Sequence, residues 1–394
     1  MIHRICSLLL ALCLPLAAAV EWPLEQLYKR PQSFPAPSKS KFPSVKATFL
    51  QGLPWQGKET RIFCYYGLPA GATPDQPVPA MVLIHGGGGS AFPDWVKLWN
   101  DRGYAAIAMD TCGQISGLGY RDHSRHEFAG PMGWGGFDQT GLKAEDQWSY
   151  HAVAAVITAH SFLRTLPGVD AERVGLTGIS WGGYLTCLVA GIDERFQCAI
   201  PVYGGGFLDE NSTWLGPFKK LGPEKTATWI ERWDPKNYLP RADLPFLWVT
   251  GTNDFAYPLD SHDKSVRRLP HPSRLSIPGN MPHGQPQGQS PAVIAAFADQ
   301  ELKKGPALPT ITALQASDGS LSATYHTDQA ITRAELLFTE DDGNWHKRQW
   351  QRQPARLDPA SKQVSAPLPP KARACFLNLH DPRGFVISSR LHLP

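Results

Sequence analysis

The sequence has little excess charge of either sign and no long apolar run beyond its first residues. Its 394 residues include 38 basic and 35 acidic side chains, a net charge of +3 at pH 7, with no block of like charge. This balance excludes a strongly basic surface for nucleic acid or an anionic membrane. A membrane-spanning helix needs about twenty apolar residues, and no stretch after residue 19 supplies them. The sequence predicts neither a nucleic-acid partner nor a membrane span, and it leaves the oligomeric state open.

Cysteine is also sparse, and its spacing is irregular. There are seven cysteines and no C-x-x-C pair, a pattern that argues against a zinc site. Cys187 and Cys198 lie close in sequence; burial as small apolar side chains is the favoured interpretation, and a disulfide between them stays open. His123 and His126, in a long loop, are interpreted as polar surface residues, so no metal ion is predicted.

The first nineteen residues have the pattern of a secretory signal peptide. A basic residue, Arg4, precedes an apolar run at 5–16 that is too short to span a bilayer comfortably, and three alanines follow. We expect cleavage after Ala19 and export of the mature chain to the periplasm or the medium. A buried N-terminal helix is the alternative interpretation.

Apolar runs of strand length alternate with segments of helical length between residues 47 and 305. Four such runs fall at 80–84, 105–109, 174–177 and 198–202. Near-continuous apolar runs indicate strands buried on both faces, so the sequence predicts an α/β domain with a doubly wound, mostly parallel sheet. Residues 20–46, rich in Pro, Ser and Lys, are predicted to form an extended arm.

Residues 206–241 interrupt this alternation with several tryptophans and prolines. They are predicted to form a small cap over the cleft that contributes selectivity, with a plain surface excursion as the alternative. Loops that follow parallel strands gather at one edge of the sheet, so the long loop at 111–143 should also shape the cleft. Trp134 of that loop and Trp214 of the cap are the predicted cleft residues.

The motif Gly-Ile-Ser-Trp-Gly at 178–182 joins a predicted strand to a predicted helix. This is the setting of a nucleophile elbow, a sharp turn that holds a serine hydroxyl above the edge of a sheet. Glycines two positions before and after Ser180 let the neighbouring elements approach without a Cβ clash. Ser180 is therefore the candidate nucleophile, with an ordinary turn as the alternative.

A run of four glycines at 86–89 follows another predicted strand. Such a run is costly in conformational entropy, which indicates a need for exposed backbone amides. Facing Ser180, the amides of Gly87 and Gly88 would form one half of an oxyanion hole and the amide of Trp181 the other half. A phosphate-binding loop is disfavoured because no lysine follows at the Walker spacing.

Two further strands end in residues that can complete a catalytic set with Ser180. Asp254 and His283 each come after an apolar run of strand length. Because the carboxyl ends of parallel strands meet at one edge of a sheet, the three side chains should converge. Asp260 is a rival for the acid. His271 is a rival for the base, but it precedes its strand and should lie at the opposite edge.

The pattern changes after residue 309. Short alternating strands are predicted at 320–327, 331–339, 345–351, 374–380 and 385–393. Residues 310–394 are therefore predicted to form a small all-β sandwich of immunoglobulin or fibronectin type. A packing role against the α/β domain is favoured over glycan binding.

The catalytic motifs lie at 85–89, 178–183, 251–254 and 282–284. Together they resemble those of the α/β-hydrolase superfamily, which uses the order serine, aspartate, histidine. Within it the chain is similar to the acetyl xylan esterase, dienelactone hydrolase and prolyl-oligopeptidase-like set. The usual dienelactone hydrolase has a cysteine where Ser180 stands, and the N-terminal region leaves no room for the propeller of a prolyl oligopeptidase. These departures favour an esterase over a peptidase.

The resemblance implies acyl transfer by Ser180, His283 and Asp254, without a metal or an organic cofactor. Predicted export and an aromatic cleft lead us to expect a small ester or an acylated carbohydrate as substrate. Two alternatives stay open. One is a serine peptidase, and the other is a noncatalytic binding or adhesion protein that keeps the same scaffold.

Overall fold

The structure of the protein is a computed structural model that describes residues 20–117 and 123–394. The predicted signal peptide at 1–19 lies outside these residues, as do residues 118–122 of the long loop. No helix within the described ranges combines the length and the apolar character that a membrane crossing requires.

The N-terminal arm is docked on the α/β domain. The indole nitrogen of Trp22 donates to the carbonyl oxygen of Tyr150 (3.1 Å), and Ser161 Oγ donates to the carbonyl oxygen of Leu27 (2.7 Å). The arm then adds a strand antiparallel to the edge of the sheet. These first elements are helix α1 (Leu24–Leu27) and strands β1 (Ser33–Pro35), β2 (Val45–Gln51) and β3 (Arg61–Gly67).

The α/β domain continues with alternating strands and helices. Up to the cap these are β4 (Val78–Ile84), α2 (Pro93–Asp101), β5 (Ala105–Met109), a hairpin of β6 (Gln114–Ser116) and β7 (His123–Arg125), α3 (Trp148–Arg164), β8 (Val169–Ile179), α4 (Trp181–Ala190) and β9 (Cys198–Val202). The strands predicted at 105–109 and 198–202 are confirmed at those residues.

The segment at 206–241 is helical. Its helices are α5 (Leu208–Asn211), α6 (Leu215–Leu221) and α7 (Pro223–Trp233). Proline at the first position of α7 fits a helix start, where a backbone N–H has no intrahelical partner. Phe218 and Trp229 pack on Phe137 of the long loop, with ring centroids 5.1 and 5.0 Å apart. The segment therefore covers the loop that follows β5.

After this segment the chain returns to the sheet with β10 (Leu247–Val249), α8 (Leu259–Val266), β11 (Arg274–Ser276), α9 (Gln285–Gln289) and α10 (Ala292–Lys303). Six strands in the order β5-β4-β8-β9-β10-β11 are parallel to one another. Every residue of β5, β9 and β10 is buried, so both faces of this central part are covered. Serine, acid and base candidates all follow strands of this part.

Eight strands follow residue 309. They are β12 (Thr310–Ser317), β13 (Ser320–His326), β14 (Arg333–Thr339), β15 (Gln351–Pro354), β16 (Arg356–Asp358), β17 (Gln363–Pro367), β18 (Ala374–His380) and β19 (Val386–Ser388). One sheet has the order β12-β13-β17-β16, and the other strands run in the order β19-β18-β14-β15. A second hydrophobic cluster, distinct from the main core, combines side chains of both groups, including Leu321, Tyr325, Leu336 and Leu377.

Three features of the chain differ from the predictions. First, β11 pairs with β19 through Leu275 and Ser388, so a single thirteen-stranded sheet runs through both regions. Second, the C-terminal strands β19, β18, β14 and β15 extend this sheet with antiparallel pairs, whereas within the α/β domain the sheet is mostly parallel, as predicted. Third, the strand predicted at 345–351 is wrong: Trp345–Lys347 is a turn of 3₁₀ helix, and β15 begins at Gln351.

The five described cysteines are all buried and unbridged. Burial raises the pKa of the Cys187 thiol well above its usual range, so this side chain stays a neutral thiol. The disulfide left open between Cys187 and Cys198 is not formed, in agreement with their interpretation as small apolar core residues.

Candidate active site

Ser180 lies on a strained turn between β8 and α4. Its backbone has φ 59° and ψ −117°, a region that non-glycine residues rarely adopt. The Ser180 amide donates to the carbonyl oxygen of Val202 on the neighbouring strand (2.8 Å), which fixes the turn. A Cβ on Gly178 would collide with the backbone of Gly182, and a Cβ on Gly182 with the carbonyl of Ile84. Glycine is therefore required at both flanking positions of the motif.

Ser180, His283 and Asp254 form a continuous chain of hydrogen bonds. Ser180 Oγ and His283 Nε2 are 2.9 Å apart, and His283 Nδ1 lies 2.6 Å from Asp254 Oδ2. The second carboxylate oxygen of Asp254 accepts from the amides of Ala256 (2.9 Å) and Tyr257 (2.8 Å). With Nδ1 donating to the carboxylate, His283 presents an unprotonated Nε2 to the serine hydroxyl.

The aspartate and the histidine of this hydrogen-bonded set differ in their exposure to solvent. The Asp254 side chain is fully buried, whereas that of His283 keeps 12% of its surface exposed. The His283 ring stacks on Tyr203 (4.6 Å between centroids) and contacts the exposed ring of Phe255 (4.8 Å). The Tyr203 hydroxyl donates to the carbonyl oxygen of Pro282 (2.8 Å), which anchors the turn just before the histidine. The acid is thus shielded, and the base remains within reach of a substrate.

The rival acid and base make other contacts. Asp260, on α8, accepts both its hydrogen bonds from the Asn211 amide nitrogen (2.7 and 2.6 Å). His271 lies before β11, 3.8 Å from Asp243. The structure therefore brings Asp254 and His283 to Ser180, and it leaves Asp260 and His271 in contact with other residues.

The glycine run passes directly beside the elbow. A Cβ on Gly86 would come within 2.9 Å of the Ile179 carbonyl oxygen and 3.2 Å of Ser180 Cβ. Gly88 has φ +76°, a left-handed conformation that glycine adopts without strain. A side chain on Gly87 would meet the indole of Trp181. The missing side chains thus allow the run to approach Ser180 closely.

Two histidines that the sequence reasoning assigned no catalytic or positioning role hold this run in place. Buried His85 donates from Nδ1 to the Gly86 carbonyl (2.9 Å) and accepts at Nε2 from the Thr111 amide (3.1 Å). Burial lowers the pKa of His85, which keeps the ring neutral as this pairing requires. His123 Nε2 lies 3.1 Å from the Gly88 carbonyl oxygen. The signal for His85 was its place directly before the glycines; His123 had no local signal.

The three predicted oxyanion donors belong to the elbow and to the glycine run that passes beside it. Trp181 is the first residue of α4, and an amide at that position has no acceptor within its own helix. It therefore points its N–H out of the helix at the elbow. Gly87 lies against the Trp181 indole, and Gly88 follows it. This arrangement is compatible with an oxyanion hole of backbone amides, a role that stays a proposal.

The two predicted cleft tryptophans lie near the elbow and the start of the glycine run, respectively. Trp214, from the cap, packs on Trp181 with centroids 4.6 Å apart and on Tyr257 at 4.9 Å. Trp134, from the long loop, lies 5.6 Å from the ring of His85. Both are partly buried. The cap and the long loop are thus joined to the elbow through aromatic rings.

No cluster of three or more His, Cys, Asp or Glu side chains suited to a metal ion occurs within residues 20–117 and 123–394. His123 instead binds the glycine run, and the His126 ring packs edge-on against Phe49 (4.8 Å). The interpretation of His123 as a plain surface residue is therefore wrong, since its side chain has a structural contact at the site.

Comparisons with known proteins point in the same direction as the geometry. Residues 41–210 match the acetyl xylan esterase (AXE1) family. The acetyl esterase Axe7A of Xylanibacter ruminicola is 29% identical over 133 residues, 31% of this chain and 30% of that protein. Dipeptidyl aminopeptidase BIII of Pseudoxanthomonas mexicana is 24% identical over 215 residues, 50% of this chain and 28% of that protein.

Among solved structures, the acetyl xylan esterase from Paenibacillus sp. R4 is similar, with a TM-score of 0.57 and 21% identity over 71% of this chain and 92% of that one. The matched part spans about 30% of the length of the curated relatives. The likeness to the solved structure establishes the fold. The resemblance to the α/β-hydrolase superfamily, and within it to acetyl xylan esterases and prolyl-oligopeptidase-like peptidases, is thereby confirmed.

Proposed function

We propose that the protein is a secreted serine esterase that acts by acyl transfer through Ser180, His283 and Asp254. The observation that carries this proposal is the pair of contacts that links the three side chains, 2.9 Å from serine to histidine and 2.6 Å from histidine to aspartate. A nucleophile, a base and an orienting acid in hydrogen-bond contact are the requirements for activating a serine hydroxyl.

In the first half-reaction His283 Nε2 takes the hydroxyl proton as Ser180 Oγ bonds to the ester carbonyl carbon. Asp254 holds the imidazole in the required tautomer and stabilises the imidazolium that forms. The imidazolium then gives its proton to the leaving alcohol, and the carbon–oxygen bond to that alcohol breaks. The products are the free alcohol and an acyl group bound to Ser180.

The tetrahedral oxyanion needs donors that are already in position. We assign this role to the amide of Trp181 together with the amides of Gly87 and Gly88. Removing one such donor typically costs about a hundredfold or more in rate. Buried, neutral His85 fixes the run by its bonds to Gly86 and to Thr111.

In the second half-reaction water takes the place of the alcohol, and the same side chains transfer the protons. His283 takes a proton from water as its oxygen attacks the acyl carbonyl, and the proton is returned to Ser180 Oγ as the acid leaves. The 12% exposure of the His283 side chain is consistent with access for that water. Every proton transfer uses side chains already in contact.

An acylated carbohydrate is the proposed substrate class. The support is the match of residues 41–210 to acetyl xylan esterases, together with the aromatic cap and loop around the elbow. Export through the segment at 1–19 would bring the enzyme to extracellular polymers.

For the C-terminal strands we infer a supporting role. Two groups of strands around a separate apolar cluster support a small sandwich of immunoglobulin or fibronectin type. Asn253, next to the candidate acid, donates from Nδ2 to the carbonyl oxygens of His346 (3.1 Å) and Arg348 (2.8 Å). The sandwich thereby steadies the loop that carries Asp254.

A serine peptidase is the second candidate. The observation that favours it is the match to a dipeptidyl aminopeptidase over half of the chain. An amide is harder to cleave than an ester, and the same triad serves both reactions. Assays with peptide p-nitroanilides separate the two candidates. Substantial amide cleavage would make the peptidase the favoured function and the esterase the second.

The central experiment is hydrolysis of p-nitrophenyl acetate by the purified protein and by Ser180→Ala. An active wild type and an inactive variant are expected. Equal rates for the two proteins would instead support the noncatalytic binding alternative. A panel of acetylated oligosaccharides and longer acyl esters then identifies the acid and alcohol portions that the enzyme prefers.

A further inference from the structure

A cavity of about 450 Å³ lies beside the candidate active site. One of its walls includes Ser90, directly after the glycine run. Gln285, two residues after the candidate base, also lines it. The arm supplies Ser38, and the long loop supplies Ser116 and His123. Five separate segments of the chain, one of them β3 through Tyr65, therefore meet around this space, and the arm residues Ser38 and Lys39 precede the segment at 41–210 that matches the esterase family.

The strongest feature of the cavity is an unsatisfied buried amide. Gln285 is only 6% exposed, and its Oε1 has no hydrogen-bond partner among the described residues. Its Nε2 makes one long contact with Gln289 Oε1, at 3.4 Å. A buried amide oxygen without a partner is destabilising, and native proteins rarely keep one without a reason. Both Gln285 and Gln289 line the cavity, so their amide groups belong to its polar lining, and a change of the Gln285 rotamer is enough to offer this oxygen to a ligand.

Hydroxyl groups form much of the remaining polar lining. Ser38 Oγ and the Tyr65 hydroxyl are 2.7 Å apart, and Ser116 Oγ donates to Ser90 Oγ (3.0 Å). Each hydroxyl has lone pairs beyond the bond it makes here. The ring of His123, whose Nε2 lies 3.1 Å from the Gly88 carbonyl oxygen, completes the polar lining. The cavity thus offers donors and acceptors of the kind that bind a polyhydroxylated molecule.

The charges at the mouth of the cavity largely cancel. Lys41 and Asp94 form an ion pair at 2.8 Å that bridges the arm to α2, and Lys39 is exposed to solvent. The inner lining carries amides, hydroxyls and one histidine, whose ring is held by the glycine run. Phe92 adds apolar surface to this lining. The lining therefore fits a neutral ligand better than an anion.

We propose that this cavity binds a neutral pyranose unit in the alcohol portion of the substrate, next to the unit whose ester is cleaved. The inference rests on the proposed esterase function for its kinetic consequence, and on the cavity alone for binding. Binding energy from a remote sugar unit would hold the scissile ester at Ser180. Gln285 is then a specificity residue, since its amide meets sugar hydroxyls and no reacting atom.

The kinetic experiment compares Gln285→Leu with Gln287→Leu. Both residues lie on α9, but Gln287 is exposed and does not line the cavity. The measured quantity is the ratio of kcat/KM for acetylated xylotetraose to kcat/KM for p-nitrophenyl acetate. We expect Gln285→Leu to lower this ratio at least tenfold and Gln287→Leu to leave it unchanged within twofold. An unchanged ratio in Gln285→Leu would overturn the proposal.

The binding experiment is independent of catalysis. Calorimetry on Ser180→Ala, titrated with unmodified xylotetraose, cellotetraose and mannotetraose, should detect at least one of the three. Adding Gln289→Trp, which fills the cavity, should weaken that binding at least tenfold, whereas Gln287→Trp should not. Absence of binding by all three sugars, or equal binding by both tryptophan variants, would refute the inference.

The two experiments also separate failure of the inference from failure of the esterase proposal. A wild type that hydrolyses neither ester, but binds a tetrasaccharide in a manner sensitive to Gln289→Trp, would remove the esterase proposal and keep the sugar site. A wild type that hydrolyses p-nitrophenyl acetate, with no response to either cavity variant, would keep the esterase and remove the sugar site.

Discussion

The protein contains two histidine–aspartate pairs of nearly the same geometry in very different settings. At the candidate active site, His283 lies 2.6 Å from Asp254; in the interior, His160 of α3 lies 2.9 Å from Asp193. Each histidine also stacks on an aromatic ring, His283 on Tyr203 and His160 on Phe196. A pairing of the two residue types is thus not sufficient to make a catalytic base.

The difference lies in what surrounds each pair. Asp193 is bound on both oxygens by the Arg195 guanidinium, at 2.7 Å each, and the Nε2 of His160 has no partner among the described residues. Burial lowers the pKa of His160 to about 4, so this ring is neutral and holds no accessible proton acceptor. Asp254 has backbone amides instead of an arginine, and His283 Nε2 meets the Ser180 hydroxyl. An accessible second nitrogen and an acid free of a cation distinguish the candidate base.

The largest expected effect follows from removing the base at the site. His283→Ala should lower kcat for p-nitrophenyl acetate by about 10⁴-fold or more, because serine loses its proton acceptor. Stopped assays with a high enzyme concentration would measure the residual rate. Loss of less than about tenfold would mean that His283 is not the base, and the contrast between the two pairs would then have no catalytic meaning.

A substitution in the interior pair should lower the stability of the protein and leave its activity nearly unchanged. His160→Leu removes one hydrogen-bond partner of Asp193 while Arg195 remains, so we expect a loss of about 1–3 kcal/mol in the free energy of unfolding. Urea denaturation followed by tryptophan fluorescence measures this quantity. The rate on p-nitrophenyl acetate should stay within about twofold of wild type at a temperature where the variant is folded. A large loss of activity with unchanged stability would contradict the structural assignment.

A third histidine sharpens the comparison because no acid is hydrogen-bonded to it within the described chain. His262 is buried against Trp248 (5.2 Å between centroids), and neither ring nitrogen has a partner within the described chain. Burial lowers its pKa to about 4. Between pH 6.5 and 4 the unfolded chain takes up a proton that the folded chain resists, so the free energy of unfolding falls as pH falls through this window.

His262→Phe should remove that contribution. The difference in Tm between His262→Phe and wild type is expected to be small at pH 7.5 and to grow in favour of the variant as the pH is lowered to 4. Thermal denaturation at pH 7.5, 6, 5 and 4 gives the comparison. If the Tm of the two proteins falls by the same amount as the pH is lowered, the burial of this ring does not contribute to acid sensitivity.

The smallest effect is expected from replacing the tyrosine that stacks on His283 by phenylalanine, the residue type that stacks on His160. Tyr203→Phe keeps the ring against His283 but removes the hydroxyl that donates to the Pro282 carbonyl. One neutral hydrogen bond contributes about 1 kcal/mol, so kcat should fall by about fivefold at most. Tyr104→Phe, which removes a tyrosine hydroxyl that donates to Asp299 (2.7 Å) and makes no contact with the triad, serves as the control. A loss beyond about a hundredfold would show that the hydroxyl has a direct part in the chemistry.

The sequence allowed the central strands and the candidate triad to be predicted because both depend on local patterns. The runs that became β5 and β9 are apolar at every position, and the order of strand ends places Ser180, Asp254 and His283 at one edge. The catalytic role of the three stays a prediction. What the sequence could not supply were contacts made across the fold, such as the bond from His123 to Gly88.

The errors in the C-terminal region have the same physical origin. The join between β11 and β19 consists of one residue pair, Leu275 with Ser388, and no local pattern encodes so short a pairing. The segment at 345–351 alternates in the manner of a strand, but its carbonyl oxygens accept from Asn253 on another loop. Tertiary partners determined its conformation, and β-propensity alone is a weak guide in such cases.

The pairing of β19 on β11 has a consequence for the integrity of the chain. If the polypeptide were cut near residue 305 and the last strands were lost, β11 would become an exposed edge strand of the parallel sheet. Its unpaired N–H and C=O groups would offer a template to the same strand of another molecule. The C-terminal strands therefore cover this edge and oppose self-association. If proteolysis removed them, we expect oligomers or a precipitate to form.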